Sequence, residues 1–306
     1  MTNDDIDSEP SISDTEIAGP ALFSPVVSTQ WLADHLGSEK LVVVDATVLP
    51  FAVDGKPGYL SGLDEYLIRG HVQNAVFADI IDEFSNPDGA YPFTRPDAAR
   101  FEAAAGSLGI DNSTTVIVYD SQVGQWASRL WWLFRSFGYD SVAVLDGGLK
   151  KWIAENRPID AGHHVNHAQV FVAQERPELW ADKDFVAGIV NGTNDGSLVC
   201  GTPPKEFSGE TVSRTRGGHI PGSLSVPAGF LVDRETNAIL PSSSLKEKFG
   251  PVLGGSRIVT YCGGGIAAAA DALALTLLGE RNVAVYDGSL NEWAADESLP
   301  LELSAI

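Results

Sequence analysis

The chain has 306 residues, of which 44% are hydrophobic and 20% are charged, and this composition is typical of a globular protein rather than a fibrous or wholly disordered one. At about 150 residues per domain, the length suggests one large domain or two ordinary ones. The 41 acidic residues outnumber the 20 Lys and Arg residues, so the net charge is −21. Because few basic side chains can neutralise phosphates, nucleic acid and anionic membrane surfaces are excluded as expected partners.

The cysteine content limits the chemistry further. The sequence contains two cysteines, Cys200 and Cys262, too few for a disulfide framework or a four-thiolate zinc site. No apolar run has the length needed to span a bilayer, and the start, MTNDDIDSEP, lacks the basic and apolar regions of a secretory signal. We therefore expect a cytoplasmic protein in which a single thiol is reactive or buried.

The first 20 residues differ from the rest of the chain. They contain six acidic residues, no Lys or Arg, and few large apolar side chains. Such a segment buries too little apolar surface to offset the entropy that ordering costs. The sequence predicts a disordered acidic tail over residues 1–20.

Beyond the tail, the sequence repeats itself. The segments of the first copy are LVVVDAT (41–47), RGHVQNAVF (69–77), TTVIVYD (114–120) and VAVLDGGLKKW (142–152). Their counterparts are SLVCGT (197–202), GGHIPGSLSV (217–226), RIVTYC (257–262) and VAVYDGSLNEW (283–293). Matching landmarks in the same order at a nearly constant separation indicate a duplicated domain. We place the domains at residues 21–160 and 177–306, with a linker over residues 161–176.

Each copy alternates short β-branched runs with longer helical patterns. LVVV, VIVY, IVTY and VAVY are typical of buried strands. This alternation indicates βαβ units, so we predict an α/β fold of two tandem domains, each a mostly parallel sheet flanked by helices. The segment GGGIAAAADALALTLLG predicts a helix that ends at Gly279. Three linker histidines lack acid or cysteine ligands at a set spacing, so no metal site is predicted.

The turn after the last residue of IVTY carries the strongest functional signal. Cys262 lies between a predicted strand and a predicted helix, where α/β sheets place their ligands. The loop and first helical residues behind it are Gly263, Gly264, Gly265, Ile266 and Ala267. Three glycines let several N–H groups point to one centre, and the helix adds its positive amino terminus. Such surroundings favour a nucleophilic thiolate. Cys200, inside an apolar strand, is expected to be an inert core residue.

These residues resemble the two-domain rhodaneses, which include thiosulfate and 3-mercaptopyruvate sulfurtransferases. The resemblance covers about residues 22–300. It includes the signature at Gly218–Gly222, with Ser223 in place of Ala, and the closing signature at Val283–Trp293. It implies that Cys262 is the active cysteine, whereas the first domain carries Asp120 at that position and is catalytically silent.

The resemblance also implies the reaction. The Cys262 thiolate attacks the sulfane sulfur of a small anionic donor, becomes a persulfide, and passes the sulfur to cyanide or a thiol. Neither a metal nor an organic cofactor is implied.

Several departures from the family pattern concern the substrate. The loop has Gly264 where mercaptopyruvate-specific members have a serine, and Glu206 stands where a carboxylate-binding arginine is expected. Arg214 and Arg216 lie near a family position for an anion-binding arginine, and surface charges are the alternative. His71, and less directly Asp64, are first-domain candidates for substrate contact, although a structural role is the more frequent one for a histidine at this position.

Other first-domain residues have less specific interpretations. Trp126, Trp131 and Trp132 fall on a predicted helix and are expected to be buried. Arg129 is expected to form a structural ion pair rather than to line a cleft.

Two other functions compete with sulfur transfer. Rhodanese-like phosphatases and arsenate reductases place an arginine six positions after the cysteine, where this chain has Ala268, so this class is disfavoured because a tetrahedral oxyanion needs a bidentate guanidinium. An inactive tandem that serves as a binding module is the second alternative.

Overall fold

The computed structural model describes residues 18–53 and 56–304. Residues 1–17, most of the predicted tail, lie outside the described residues. The strands are β1 (Val26–Val27), β2 (Leu41–Asp45), β3 (Val48–Val53), β4 (Lys56–Ser61), β5 (His71–Val72), β6 (Val76–Phe77), β7 (Thr115–Tyr119), β8 (Val142–Leu145), β9 (Ile159–Asp160), β10 (Trp180–Ala181), β11 (Ser197–Cys200), β12 (Leu224–Ser225), β13 (Ile258–Tyr261) and β14 (Val283–Tyr286).

Helices cover both faces of the sheets. They are α1 (Thr29–His35), α2 (Leu63–Arg69), α3 (Ala98–Ser107), α4 (Gln125–Ser136), α5 (Gly148–Ala154), α6 (Lys183–Val190), α7 (Pro204–Ser208), α8 (Ser242–Phe249), α9 (Ile266–Leu277) and α10 (Ser289–Trp293). Short 3₁₀ helices occur at Pro177–Leu179, Ala228–Phe230 and Gly250–Val252. Among the described residues, no helix combines the length and apolar character needed to cross a bilayer.

The two domains have the same sheet topology. The first sheet has the order β1-β8-β7-β2-β6, and the second has the order β10-β14-β13-β11-β12. All neighbouring strands in both sheets are parallel. The strands correspond one to one in chain order and in sheet order, so the predicted duplication and α/β class are confirmed.

Of the four predicted buried strands, β7, β13 and β14 are wholly buried, and β2 is buried except at Leu41, which is partly exposed. Burial is this complete because helices cover both faces of a parallel sheet. β7 and β13 are the middle strands, so the loops that follow them lie at the centre of each domain's carboxyl edge.

Matching hydrogen bonds recur in the two copies. Val72 N–H donates to Tyr119 Oη at 3.1 Å, and Ile220 N–H donates to Tyr261 Oη at 3.0 Å. The indole N–H of Trp152 donates to a proline carbonyl at 2.8 Å, and that of Trp293 does the same. The repeated tyrosines and tryptophans therefore fix the same connections in each domain.

The helix predicted behind Cys262 ends as expected. α9 stops at Leu277, and Gly279 has the left-handed φ of 92°. Gly279 N–H donates to Thr276 O at 3.0 Å, and Glu280 N–H donates to Leu275 O at 3.1 Å. This pair of bonds is the Schellman motif, which favours glycine at the left-handed position.

The domains pack through α4 and α9. These helices contact each other, and one apolar cluster contains buried residues of both domains. Trp126, Trp131 and Trp132 of α4 are each no more than 1% exposed, so their predicted burial is confirmed. A helix buried nearly all round needs apolar neighbours on each face, and the second domain supplies one of them.

The segment at residues 161–176 contains no helix or strand. It runs along the first domain, where Gln169 N–H donates to Gly106 O at 2.9 Å and Gln174 N–H donates to Phe137 O at 2.9 Å. Gly19, near the end of the predicted tail, donates to Ser113 O at 3.0 Å. The tail and linker bounds remain predictions.

Candidate active site

Cys262 lies directly after β13, at the carboxyl end of the middle strand of the second sheet, and is 4% exposed. Its N–H donates to Ser289 Oγ at 3.1 Å, and its carbonyl accepts from Leu290 N–H at 3.0 Å. Gly263 O accepts from Asn291 N–H at 2.9 Å. The start of α10 therefore holds the cysteine loop in place.

The equivalent loop of the first domain shows what such a turn can bind. The Asp120 carboxylate accepts four backbone N–H bonds of 2.8–3.0 Å, from Gln122, Gly124, Trp126 and Ala127. The loop and the first turn of α4 thus surround a buried carboxyl group. Burial raises the pKa of Asp120, and these four hydrogen bonds oppose that shift. Cys262 has the same kind of strand before it and the same kind of turn and helix after it, with one residue fewer in the turn.

The glycines of the cysteine loop differ in what they provide: Gly265 provides a left-handed conformation, and the other two leave room for neighbouring side chains. Gly265 has a φ of 80°, the left-handed region that glycine adopts without strain. A Cβ at Gly263 would overlap Arg214 Nη2, and one at Gly264 would lie 2.9 Å from Asn291 Nδ2. The serine expected at Gly264 would therefore crowd Asn291.

Ile266 and Ala267, the other two predicted residues of the cysteine loop, are the first two residues of α9. When the starts of α4 and α9 are aligned, the N–H groups of Gly265, Ala267 and Ala268 correspond to those of Gly124, Trp126 and Ala127. These three first-domain N–H groups donate to the Asp120 carboxylate. The structure thus brings all five predicted loop residues next to the cysteine.

Arg214 reaches this loop. Its Nη2 lies against Gly263, its Nε donates to Asn291 Oδ1 at 3.1 Å, and its Nη1 lies 2.9 Å from Glu206 Oε2. Glu206 stands where an arginine is expected, and it forms an ion pair with Arg214 next to the residue that follows Cys262. The side chains of Arg214 and Glu206 are 20% and 23% exposed, so the pair is partly desolvated.

Arg216 is used differently. Its guanidinium donates to the backbone carbonyls of Ala294, Leu299, Trp293 and Asp296 at 2.6–3.2 Å. These bonds occupy the Nε, Nη1 and Nη2 groups and hold the segment after α10. The role that the structure supports for Arg216 is structural.

His71 also has a structural environment. It is 1% exposed, and its ring nitrogens lie 2.9 Å from Val72 O and 3.1 Å from Gly162 O. The ring stacks on Tyr66 at 3.9 Å. Its counterpart His219 stacks on an aromatic ring in the same way, so this histidine recurs at the entrance of both domains. Asp64 is exposed on α2.

An aromatic group from the first domain was missed by sequence reasoning. The ring of Tyr59, on β4, contacts Phe93 and Trp126 edge-on at centroid distances of 5.4 and 5.3 Å. Partial burial, together with negative charge on Cys262 and Glu206, raises the pKa of the Tyr59 phenol. Tyr59 is therefore within electrostatic range of Cys262 and Glu206 of the second domain. The available signal was the 48–61 insertion, because an insertion in one copy of a repeat often maps to a binding face.

Cys200 and Cys262 point to opposite faces of the sheet. Cys200 pairs with Tyr261 in register and packs in the same core cluster as that tyrosine, whereas Cys262 belongs to the other cluster. Burial raises the pKa of the Cys200 thiol to about 11. Cys200 is therefore protonated at neutral pH and separated from the cysteine loop.

The loop is also tied to the first domain. Arg129 is 1% exposed and lies 2.7 Å from Asp287 Oδ1, while its other amino group is 3.5 Å from Gly265 O. The predicted structural ion pair is present, and it joins the two domains at the glycine that starts α9.

Comparisons with known proteins agree with this geometry. A family model described as the rhodanese-like domain matches residues 28–155 and 194–296. The mouse 3-mercaptopyruvate sulfurtransferase is 33% identical, over 90% of this chain and 94% of its own. The chicken thiosulfate sulfurtransferase is 32% identical, over 90% and 95%. A crystal structure of SseA from Escherichia coli, described among 3-mercaptopyruvate sulfotransferases, superposes with a TM-score of 0.75 at 31% identity, over 87% of this chain and 98% of its own.

Two matched domains, identity above 30% over nearly the whole of each relative, and a cysteine at the expected turn lead to one conclusion. The chain belongs to the rhodanese-like family and is a sulfurtransferase.

Proposed function

We propose that Cys262 carries sulfane sulfur as a persulfide between a small anionic donor and cyanide or a thiol. The observation that carries the proposal is the turn itself, whose first-domain counterpart surrounds the Asp120 carboxylate with four N–H groups. A persulfide anion on Cys262 requires the same kind of surroundings.

The transfer balances with both donors suggested by the relatives. With thiosulfate, the thiolate attacks the sulfane sulfur, the sulfur–sulfur bond of the donor breaks, and sulfite leaves with the electron pair. With 3-mercaptopyruvate, the carbon–sulfur bond breaks, and the thiol proton ends on carbon as pyruvate forms. In both cases the acceptor then attacks the outer sulfur and returns the electron pair to Cys262 Sγ.

Charge favours the monoanion among these donors. Arg214 contacts the loop at Gly263, and Glu206 offsets part of its charge. Arg129 and Arg216 are already engaged by Asp287 and by carbonyl groups. Thiosulfate brings two negative charges toward Glu206 and toward a protein of net charge −21, whereas 3-mercaptopyruvate brings one carboxylate that can pair with Arg214. We therefore propose 3-mercaptopyruvate as the better donor.

Persulfide formation tests the function. The protein is incubated with each donor, and intact mass is measured before and after reduction. One added sulfur is expected in the wild type and in Cys200→Ser, and none in Cys262→Ser. No added sulfur in the wild type would instead support the inactive binding module. Values of kcat/KM measured side by side rank the donors.

The first domain is proposed to be catalytically silent because Asp120 fills its loop. A reducing compartment such as the cytosol is the proposed location, since the reaction requires a free Cys262 thiolate. Fractionation of cells that express the protein tests the location.

A further inference from the structure

The Arg214–Glu206 pair offers both signs of charge beside Gly263, the residue that follows the reacting cysteine. Nη2 of Arg214 lies against Gly263, one residue from Cys262. Glu206 Oε2 accepts from Arg214 Nη1 at 2.9 Å and from Ser213 Oγ at 3.2 Å, whereas Oε1 makes no hydrogen bond among the described residues. One cationic and one anionic edge are therefore available at the same place.

A ligand with a carboxylate and an ammonium attached to the same carbon matches this pair. In an α-amino acid the two groups are joined through one carbon, so they can lie along two protein charges that are themselves in contact. The carboxylate would meet Arg214 and the ammonium would meet Glu206, each by a charge-assisted hydrogen bond. A ligand with a carboxylate alone would satisfy Arg214 and be repelled by Glu206.

The ammonium of the ligand matters most in the second half-reaction, in which the acceptor thiolate attacks the persulfide on Cys262. The persulfide on Cys262 adds negative charge at the loop, Glu206 adds more, and the whole chain carries −21. An incoming thiolate is repelled by all three unless it also brings a cation. The Tyr59 phenol is neutral or negative at any pH, so it supplies no positive charge to such a thiolate.

We infer that the preferred acceptor is a zwitterionic α-amino thiol, selected by Glu206 and Arg214. This inference rests on the proposed function, because it concerns the thiol that receives the Cys262 sulfur. The acceptor thiolate attacks the outer sulfur of the persulfide, the bond from that sulfur to Cys262 Sγ breaks, and its electron pair returns to Sγ. The product is the persulfide of the amino thiol.

Four small thiols separate the contributions of the two charges. L-Cysteine carries both groups, cysteamine carries only the ammonium, 3-mercaptopropionate carries only the carboxylate, and 2-mercaptoethanol carries neither. The enzyme is first loaded with sulfur, and the loss of the added mass is followed in a single turnover. Rates are compared between variant and wild type for each thiol, so the intrinsic reactivity of the thiol cancels.

Glu206→Gln keeps an oxygen for Arg214 and removes the negative charge. It should slow L-cysteine and cysteamine about tenfold, as expected for one lost charge-assisted bond. The rate with 2-mercaptoethanol should stay within about twofold of the wild type, because a lost hydrogen bond would change it by more. The rate with 3-mercaptopropionate should rise, because the repulsion from Glu206 is removed. The matched control is Glu210→Gln, an equal change in charge at an exposed residue paired with Lys205, which should leave all four ratios unchanged.

The outcomes distinguish the two proposals. If the wild type gains no sulfur on Cys262, the proposed function itself fails. If the sulfur is loaded and Glu206→Gln changes all four rates equally, or changes none, the proposed function stands and the zwitterion preference is overturned.

Discussion

Arg129 of the first domain lies 2.7 Å from Asp287 of the second, and the arginine is almost wholly buried. Asp287 Oδ2 also accepts from Arg95 N–H at 2.9 Å, and Arg129 Nη2 donates to Phe93 O at 2.8 Å. The pair therefore connects the first domain to the turn that carries Cys262. It explains how the first domain supports the cysteine loop of the second.

Asp287→Asn should reduce stability and activity together. The substitution leaves the Arg129 charge buried without its partner, which costs about 3 kcal/mol. Urea unfolding measures the loss, and kcat for sulfur transfer should fall because the Gly265 turn is less well held. Glu65→Gln, which breaks an exposed pair with Arg69, is the control and should cost less than about 1 kcal/mol. Equal losses of unfolding free energy in Asp287→Asn and Glu65→Gln would show that the buried pair contributes no more than an exposed one.

Asp120→Asn tests the anion-binding turn in the first domain. The amide supplies one oxygen where the carboxylate supplies two, so some of the four N–H groups lose their acceptor. We expect a loss of about 2 kcal/mol in the free energy of unfolding. Asp97→Asn changes the exposed cap of α3 and should be nearly neutral, since Asn caps as well as Asp. An unchanged unfolding midpoint in Asp120→Asn would contradict the role of these bonds.

Arg214→Gln and Arg216→Gln should have opposite signatures. Arg214→Gln should raise KM for an anionic donor about tenfold with little change in kcat, because the contact serves bound substrate and transition state alike. Arg216→Gln should instead lower stability by about 2 kcal/mol, since it removes charged hydrogen bonds to carbonyl groups. Steady-state kinetics and thermal unfolding on both variants check the assignment. A KM effect at Arg216 with normal stability would reverse it.

Asp45 should make the protein less stable as pH rises through the acid range. Burial raises the pKa of its carboxyl from 3.8 to about 6. Between these values the folded state keeps the proton and the unfolded state releases it, so stability is greatest below pH 3.8 for this group and falls until about pH 6. The contribution amounts to about 3 kcal/mol.

Asp45→Asn isolates this effect. Thr47 N–H donates to Asp45 Oδ1 at 2.9 Å. The side-chain oxygen of Asn can accept the same hydrogen bond, but Asn does not titrate. The difference in unfolding free energy between variant and wild type should therefore grow in favour of the variant from about pH 4 to about pH 6. A constant difference would mean that Asp45 titrates with its ordinary pKa.

The sequence by itself determined the features that contiguous residues encode. The duplication, the buried strands and the turn at Cys262 follow from β-branched runs, repeated signatures and three adjacent glycines. The end of α9 at Gly279 was also predictable, because a helix stop depends on a left-handed residue within the same segment. The family resemblance rests on the same local patterns.

Only the tertiary structure decided how distant side chains are used. Nothing in SRTRGG distinguishes Arg214, which lies beside Gly263, from Arg216, which binds four carbonyls. The electrostatic influence of Cys262 on Tyr59 and the pairing of Arg129 with Asp287 both cross the domain interface. Such contacts join residues that are far apart in the chain, so their partners depend on how the two sheets and α4 and α9 pack, and local propensity carries no information about that packing.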